Sequence, residues 1–210
     1  MQTEKRLVYK YDKRKFPMKD LIFATGNKHK ADELRKVIQN VNILTLKDID
    51  FSGEIIENGK TFLDNALIKC QTVYNTTHKP VIADDSGLSV DQLGGAPGVF
   101  SARYGQPNFD DKQRYEYLLS QLDYNKPLDA SFICCLILYV TPGRIYSVQE
   151  EVRGVITRTP KGTNGFGYDP VFYIPSLDKT YAELTDNEKN AISHRGKAVS
   201  VMNEIIYKIF

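Results

Sequence analysis

Two aspartates stand side by side in Ala83-Asp84-Asp85-Ser86-Gly87-Leu88, directly after the apolar run Val81-Ile82-Ala83. The run reads as a short buried strand that ends at the pair. The glycines that follow, through Gly94-Gly95-Ala96-Pro97-Gly98, read as turn and loop that let backbone approach a ligand. Carboxylates in such a place must be offset by protons, cations or hydrogen-bond donors. A hard cation such as Mg²⁺, held by one or two carboxylates and a substrate phosphate, meets that need. An Asp-rich turn that caps its own backbone meets it as well. Glu57 is a third carboxylate for the same cation, or a solvated loop glutamate.

Three other stretches carry chemistry. Thr25-Gly26-Asn27-Lys28-His29-Lys30 follows the apolar Leu21-Ile22-Phe23-Ala24 and opens a helix. Such a turn offers backbone N–H groups and a positive dipole end to a phosphate, with Lys30 as an added point charge. In Asn164-Gly165-Phe166-Gly167-Tyr168-Asp169-Pro170, the glycines beside Phe166 give its ring nothing to pack on. It suits an exposed ring that stacks on a base, with Asp169 accepting from a ring N–H; a glycine turn with Phe166 folded into the core is the competing reading. Lys189-Asn190-Ala191-Ile192-Ser193-His194-Arg195-Gly196-Lys197 is basic. On one helix His194 and Arg195 would point about 100° apart, so they converge with Lys189 only if a break falls near Ser193. Otherwise the run is a solvated helix surface. Gly53–Thr61 imitates a phosphate-binding P-loop, but it has five residues between its glycines where the motif has four, and two are glutamates. It is set aside.

The elements that must position these groups follow from periodicity. Ala31, Leu34, Ile38 and Val41 share one helical face, and Val41–Leu46 reads as a strand. Thr61–Tyr74 reads as a helix capped by Thr61, with Asp64 in its first turn and Phe62, Ala66, Cys70 and Val73 inward. Asn108 is placed as the cap of a third helix carrying Tyr115, Leu118, Leu119 and Leu122. Ala130–Val140 and Arg144–Thr157, joined by Thr141-Pro142-Gly143, form a hairpin, with Glu150-Glu151 and Gly154 marking a bulge or an exposed edge. Thr185-Asp186-Asn187-Glu188 is a capping box, and Ser193 caps a last helix with Ala198, Val199, Met202, Ile205, Ile206 and Ile209 on one face. This mix predicts an α/β fold with a mixed sheet flanked by helices.

The 210 residues, 41% apolar and 26% charged, suit one domain or two small lobes. No apolar run approaches the ~20 residues of a membrane helix. The longest, Phe132–Val140, is a buried strand. The net charge of +2 hides an asymmetry, because residues 1–20 hold seven basic and three acidic groups. Residues 21–210 keep 21 basic and 23 acidic groups, a net of −2, so this domain has no basic bias towards nucleic acid. Residues 1–20 read as a basic extension without the apolar segment of a secretory signal, and a cytoplasmic location with no membrane partner is expected. Cys70, Cys134 and Cys135 are odd in number and lack a C-x-x-C spacing, so buried reduced thiols are expected. His29, His78 and His194 are too scattered for a His-based metal site.

Taken in order, Phe23–Glu33, Gly59–Lys69, Ala83–Tyr104, Gly165–Pro170 and Glu188–Ala198 resemble the inosine triphosphate pyrophosphatase family, the dITP/XTP pyrophosphatases. The resemblance covers residues 21–210. It implies an elongated α/β fold with a cleft between two lobes, usually as a homodimer, and Mg²⁺-dependent hydrolysis of ITP, dITP and XTP to the monophosphate and pyrophosphate. By resemblance Thr25, Gly26, Asn27, Lys28, His29 and Lys30 would hold the triphosphate. Asp85 would be proton acceptor and metal ligand, Glu57 a second metal ligand, and Ser86 a substrate contact. Phe166 would stack on the base, with Gly167, Tyr168 and Asp169 completing that wall, while Lys189, His194 and Arg195 approach its 6-oxo group. The alternatives are a pyrophosphatase with another base preference and a non-catalytic nucleotide sensor.

Overall fold

A computed structural model describes residues 19–210. The basic segment 1–20 therefore lies, but for its last two residues, outside the described residues. Seven strands, β1 (Asp20–Phe23), β2 (Asn42–Thr45), β3 (Val81–Val90), β4 (Asp129–Thr141), β5 (Arg144–Ile156), β6 (Phe172–Ile174) and β7 (Lys179–Thr180), form one sheet in the order β2-β1-β3-β4-β5-β6-β7. The first three are parallel and the rest antiparallel, so the sheet is mixed as expected. Helices α1 (Lys28–Val37), α2 (Phe62–Thr77), α3 (Asp111–Ser120), α4 (Asp186–Ile192) and α5 (His194–Ile209) flank it. Among the described residues no helix is long and apolar enough to cross a membrane.

Strand side chains alternate between faces, and the core divides accordingly. Leu21, Phe23, Ile82, Cys134, Leu136 and Leu138 pack with Leu34 of α1 and Val199, Met202 and Ile206 of α5. Ile22, Val81, Ala83, Ile137 and Tyr139 pack on the other side with Ala66, Cys70 and Val73 of α2. A third cluster joins Leu118 of α3 to Phe132, Tyr168, Phe172 and Tyr181 at the far end of the sheet. All three cysteines are buried and free.

Three local expectations change. The strand carrying the aspartates does not end at Ala83; β3 continues to Val90, with Asp84 paired to Leu136 and Asp85 to Cys135 of β4. The pair is thus strand interior, and ten backbone pairings to β4 override the poor strand propensity of Asp, Ser and Gly. The cap of α3 is Asp110, not Asn108, because Gln113 returns a bond to the Asp110 N–H and closes a capping box. The register shift of the β4–β5 hairpin lies at Tyr139/Thr141 and not at Gly154. The edge expectation holds over most of β5, since β6 pairs only with Val155 and Ile156. The Thr61 cap, the Thr185 capping box and the break at Ser193 form as expected, and Asp64 returns a bond that closes a box at Thr61 as well.

Candidate active site

Because Ile82 and Ala83 belong to opposite faces of β3, so do Asp84 and Asp85. Asp84, 1% exposed, points to α1 and α5. The Lys30 ammonium lies 2.8 Å from its Oδ2, and Arg195 Nε and Ser86 Oγ each donate to the same oxygen at 3.3 Å. Arg195 also donates from Nη1 to Glu33 at 3.1 Å and from Nη2 to Ser86 Oγ at 2.9 Å. Burial alone would raise the Asp84 carboxyl, but Lys30 and Arg195 hold it well below the usual carboxylate range.

Asp85 points to α2. Asn65 Nδ2 donates to its Oδ2 at 3.0 Å, and Lys69 Nζ lies 3.4 Å from its Oδ1. Lys69 also pairs with Glu57 Oε2 at 2.7 Å and donates to the Asp84 carbonyl at 3.0 Å. Burial would lower the Lys69 pKa, yet Asp84, Asp85 and Glu57 together raise it, so it stays an ammonium. Burial lifts the Asp85 carboxyl above its ordinary value against the opposing pull of Lys69 and Asn65. A carboxylate poised this way is suited to accept a proton. Asn65 and Lys69 are residues that the sequence reading gave no role. Their signal was available: with Phe62, Ala66, Cys70 and Val73 they complete one inward stripe of α2, where an amide and a lysine need a buried partner.

Asp85, Glu57 and Lys69 line a cleft of about 720 Å³. Thr25, Gly26, Asn27, His29, Lys30 and Ser86 also line it, whereas Lys28 is exposed and does not. Asn27 caps α1 by accepting from the N–H groups of His29 (2.9 Å) and Lys30 (3.3 Å), so those two donors are already engaged. Glu33, another residue without an assigned role, acts through Arg195.

The opposite wall is the loop Gly165–Asp169. Gly165 adopts φ 78°, and a Cβ there would collide with the Asp169 carboxylate. Asp169 Oδ2 accepts from the Phe166 N–H at 2.8 Å and pairs with Lys189. Asp111 Oδ2 accepts from the Gly167 N–H at 2.8 Å. Tyr168 is buried and its hydroxyl donates to the Ser101 carbonyl at 2.9 Å, so it supports the wall from the core. The Phe166 ring is half-buried at the cleft, with Lys189 Nζ 4.8 Å from its centre. It is not folded into the core.

His194 is 5% exposed and stacks on Phe132 with ring centres 4.9 Å apart and planes 6° apart. Its Nδ1 has no partner among the described residues. Burial, then the Arg195 and Lys189 cations, lower its pKa well below 6.5, so it is neutral. On acidification the unfolded chain takes up this proton first, so stability present above pH 6.5 is lost as pH falls through that value. His194→Phe is expected to flatten the pH dependence of stability by about 1 kcal/mol between pH 6.5 and 5.5. Urea unfolding of both proteins at pH 7.5 and 5.5 checks this; equal losses would show that His194 is not buried neutral.

The donor set fits a hard cation. Mg²⁺ binds through one or two carboxylates, completing its shell with water and substrate phosphate. Asp85 and Glu57 supply two carboxylates that meet at the Lys69 ammonium. Among the described residues no group of three His, Cys, Asp or Glu side chains is gathered closely enough to hold a metal by itself.

A sequence profile of the Ham1 family matches residues 21–205. A dITP/XTP pyrophosphatase of Bacillus licheniformis is 44% identical over 193 residues, which cover 90% of this chain and 98% of that protein. One from Treponema denticola is 42% identical over 191 residues, 89% of this chain and 97% of that protein. The structure of a HAM1 protein from Coxiella burnetii matches with a TM-score of 0.86 at 36% identity, covering 91% of this chain and all of that one. The Staphylococcus aureus Ham1 protein matches at 0.85 and 33% identity, with 91% and 100% covered.

Proposed function

The chain belongs to the Ham1 family, and from that premise we propose that it hydrolyses the non-standard purine nucleoside triphosphates ITP, dITP and XTP to the monophosphate and pyrophosphate. Such an activity removes deaminated purines from the nucleotide pool. One observation carries the reading furthest: β3 sends Asp85 alone of its two aspartates into a cleft whose far wall presents Phe166.

In this reading water attacks the α-phosphorus, the bond to the α–β bridging oxygen breaks, and Asp85 takes the water proton. Lys30 and Lys69 face the phosphate charge, and the leaving group departs as pyrophosphate. Asp85 and Glu57 would hold Mg²⁺, which when bound neutralises phosphate oxygens. Phe166 carries the base. Lys189 and Arg195 have only donors to offer, so a 6-oxo group can accept from N–H groups that their protein partners leave over, whereas the 6-amino group of adenine cannot. Neutral His194 has one donor and one acceptor nitrogen and can face either group, so the discrimination falls on Lys189 and Arg195. We include in this reading a homodimer acting on free nucleotides in the cytoplasm, with no nucleic-acid or membrane partner and with residues 1–20 as an extension outside the catalytic domain. The acidic balance of residues 21–210 supports it on the nucleic-acid side.

Turnover of ITP in H₂¹⁸O tests the chemistry. Label is expected in inosine monophosphate and none in pyrophosphate. Label in pyrophosphate, or release of orthophosphate, would place the attack at another phosphorus.

A further inference from the structure

His29 lies in the first turn of α1 and is exposed. Its backbone N–H is engaged by the Asn27 cap at 2.9 Å, so it has no free main-chain donor for a phosphate. Its ring instead faces Phe166, with centres 6.3 Å apart and planes 21° apart. The two rings come from opposite walls of the cleft: α1 packs on the β1 side of the sheet, and the Phe166 loop is anchored through Gly167 to α3. Both side chains line the cleft.

The spacing separates this pair from the stacked pairs in the core. Phe132 stacks on His194 and on Tyr181 at 4.9 and 5.6 Å. Facing rings in contact need about 3.5–4 Å, and a planar ring inserted between two others needs about twice that, ~7 Å. The His29 and Phe166 centres are 6.3 Å apart, lateral offset included, so the rings must part by about 1 Å or more to admit one flat ring. An exposed imidazole on two rotatable bonds can supply the remainder.

We propose that His29 is the second wall of the base site, and that the purine of the substrate inserts between the imidazole and the Phe166 ring. The proposal rests on the reading of Phe166 as the base platform. It moves His29 from the triphosphate to the base. The base is then held on both faces, beside the Lys189 and Arg195 cations, which lie over the Phe166 ring at 4.8 and 5.8 Å from its centre.

The test compares His29→Ala, His29→Phe and His29→Lys, with Phe166→Ala as the reference for a lost wall. The readouts are kcat and KM for ITP with Mg²⁺, and Kd for inosine monophosphate, which lacks the pyrophosphate. His29→Ala is expected to raise both KM and Kd by about five- to tenfold, as loss of one stacking face should. Because a base contact is made equally in ground and transition states, kcat should stay within about twofold. His29→Phe should restore both constants and His29→Lys should not. Unchanged KM and Kd in His29→Ala, or rescue by Lys equal to that by Phe, would overturn the slot. Failure of the wild-type protein to turn over ITP would instead overturn the function on which the slot rests.

Discussion

Asp85→Asn is expected to lower kcat for ITP by roughly 10²–10⁴-fold, the usual worth of a positioned general base, while leaving the fold and nucleotide binding intact. The amide keeps the shape and still offers an oxygen to Asn65 Nδ2. Lys69 keeps Glu57 at 2.7 Å and the Asp84 carbonyl at 3.0 Å, so no charge is stranded. Steady-state kinetics alongside calorimetric titration with ITP separates the two effects. Normal turnover in Asp85→Asn would remove Asp85 from the chemistry; loss of folding would mean its charge is structural.

The neighbouring residue is expected to behave in the opposite way. Asp84→Ala should destabilise the protein by about 3–5 kcal/mol, because it leaves the buried Arg195 and the partly buried Lys30 without their shared counter-charge. Glu33 remains, but it reaches only Arg195. For a chain of this size that loss corresponds to a fall in Tm of roughly 6–20 °C. Differential scanning calorimetry measures it. A fall of only a degree or two would mean that Asp84 is not what holds Lys30 and Arg195. The contrast between the two substitutions is the signature of β3 alternation: adjacent carboxylates on opposite faces can act independently, whereas a pair sharing one cation would fail together.

Most of what surrounds the site was legible without coordinates. The strand–turn–helix at Thr25–Lys30, the Thr61 cap, the Thr185 capping box and the break at Ser193 are local events, written in residues a few positions apart. The mixed sheet followed from the strand and helix pattern. The continuation of β3 through Asp84-Asp85-Ser86-Gly87 was not legible, because none of those residues favours a strand. It depends on β4, about fifty residues away, and on Gly87, where a Cβ would strike Ser101 Oγ and the Gly98 carbonyl. The roles of Asn65 and Lys69 were concealed differently. Both sit in plain view on the apolar stripe of α2, but a stripe is usually scored for the apolar residues that fit it. The informative residues were the two polar ones that did not. Asp110 won over Asn108 as the α3 cap for a reason that is again local, the reciprocal bond from Gln113.

Base selection joins Asp85, the cation and the Lys189–Arg195 pair in one assay. Pyrophosphate release would be followed from ITP, dITP, XTP, GTP, ATP and dUTP, first with Mg²⁺ and then with EDTA. Rapid release is expected from ITP, dITP and XTP alone, and EDTA is expected to abolish it. Tight ITP binding without release, or release from dUTP matching that from ITP, would contradict this expectation.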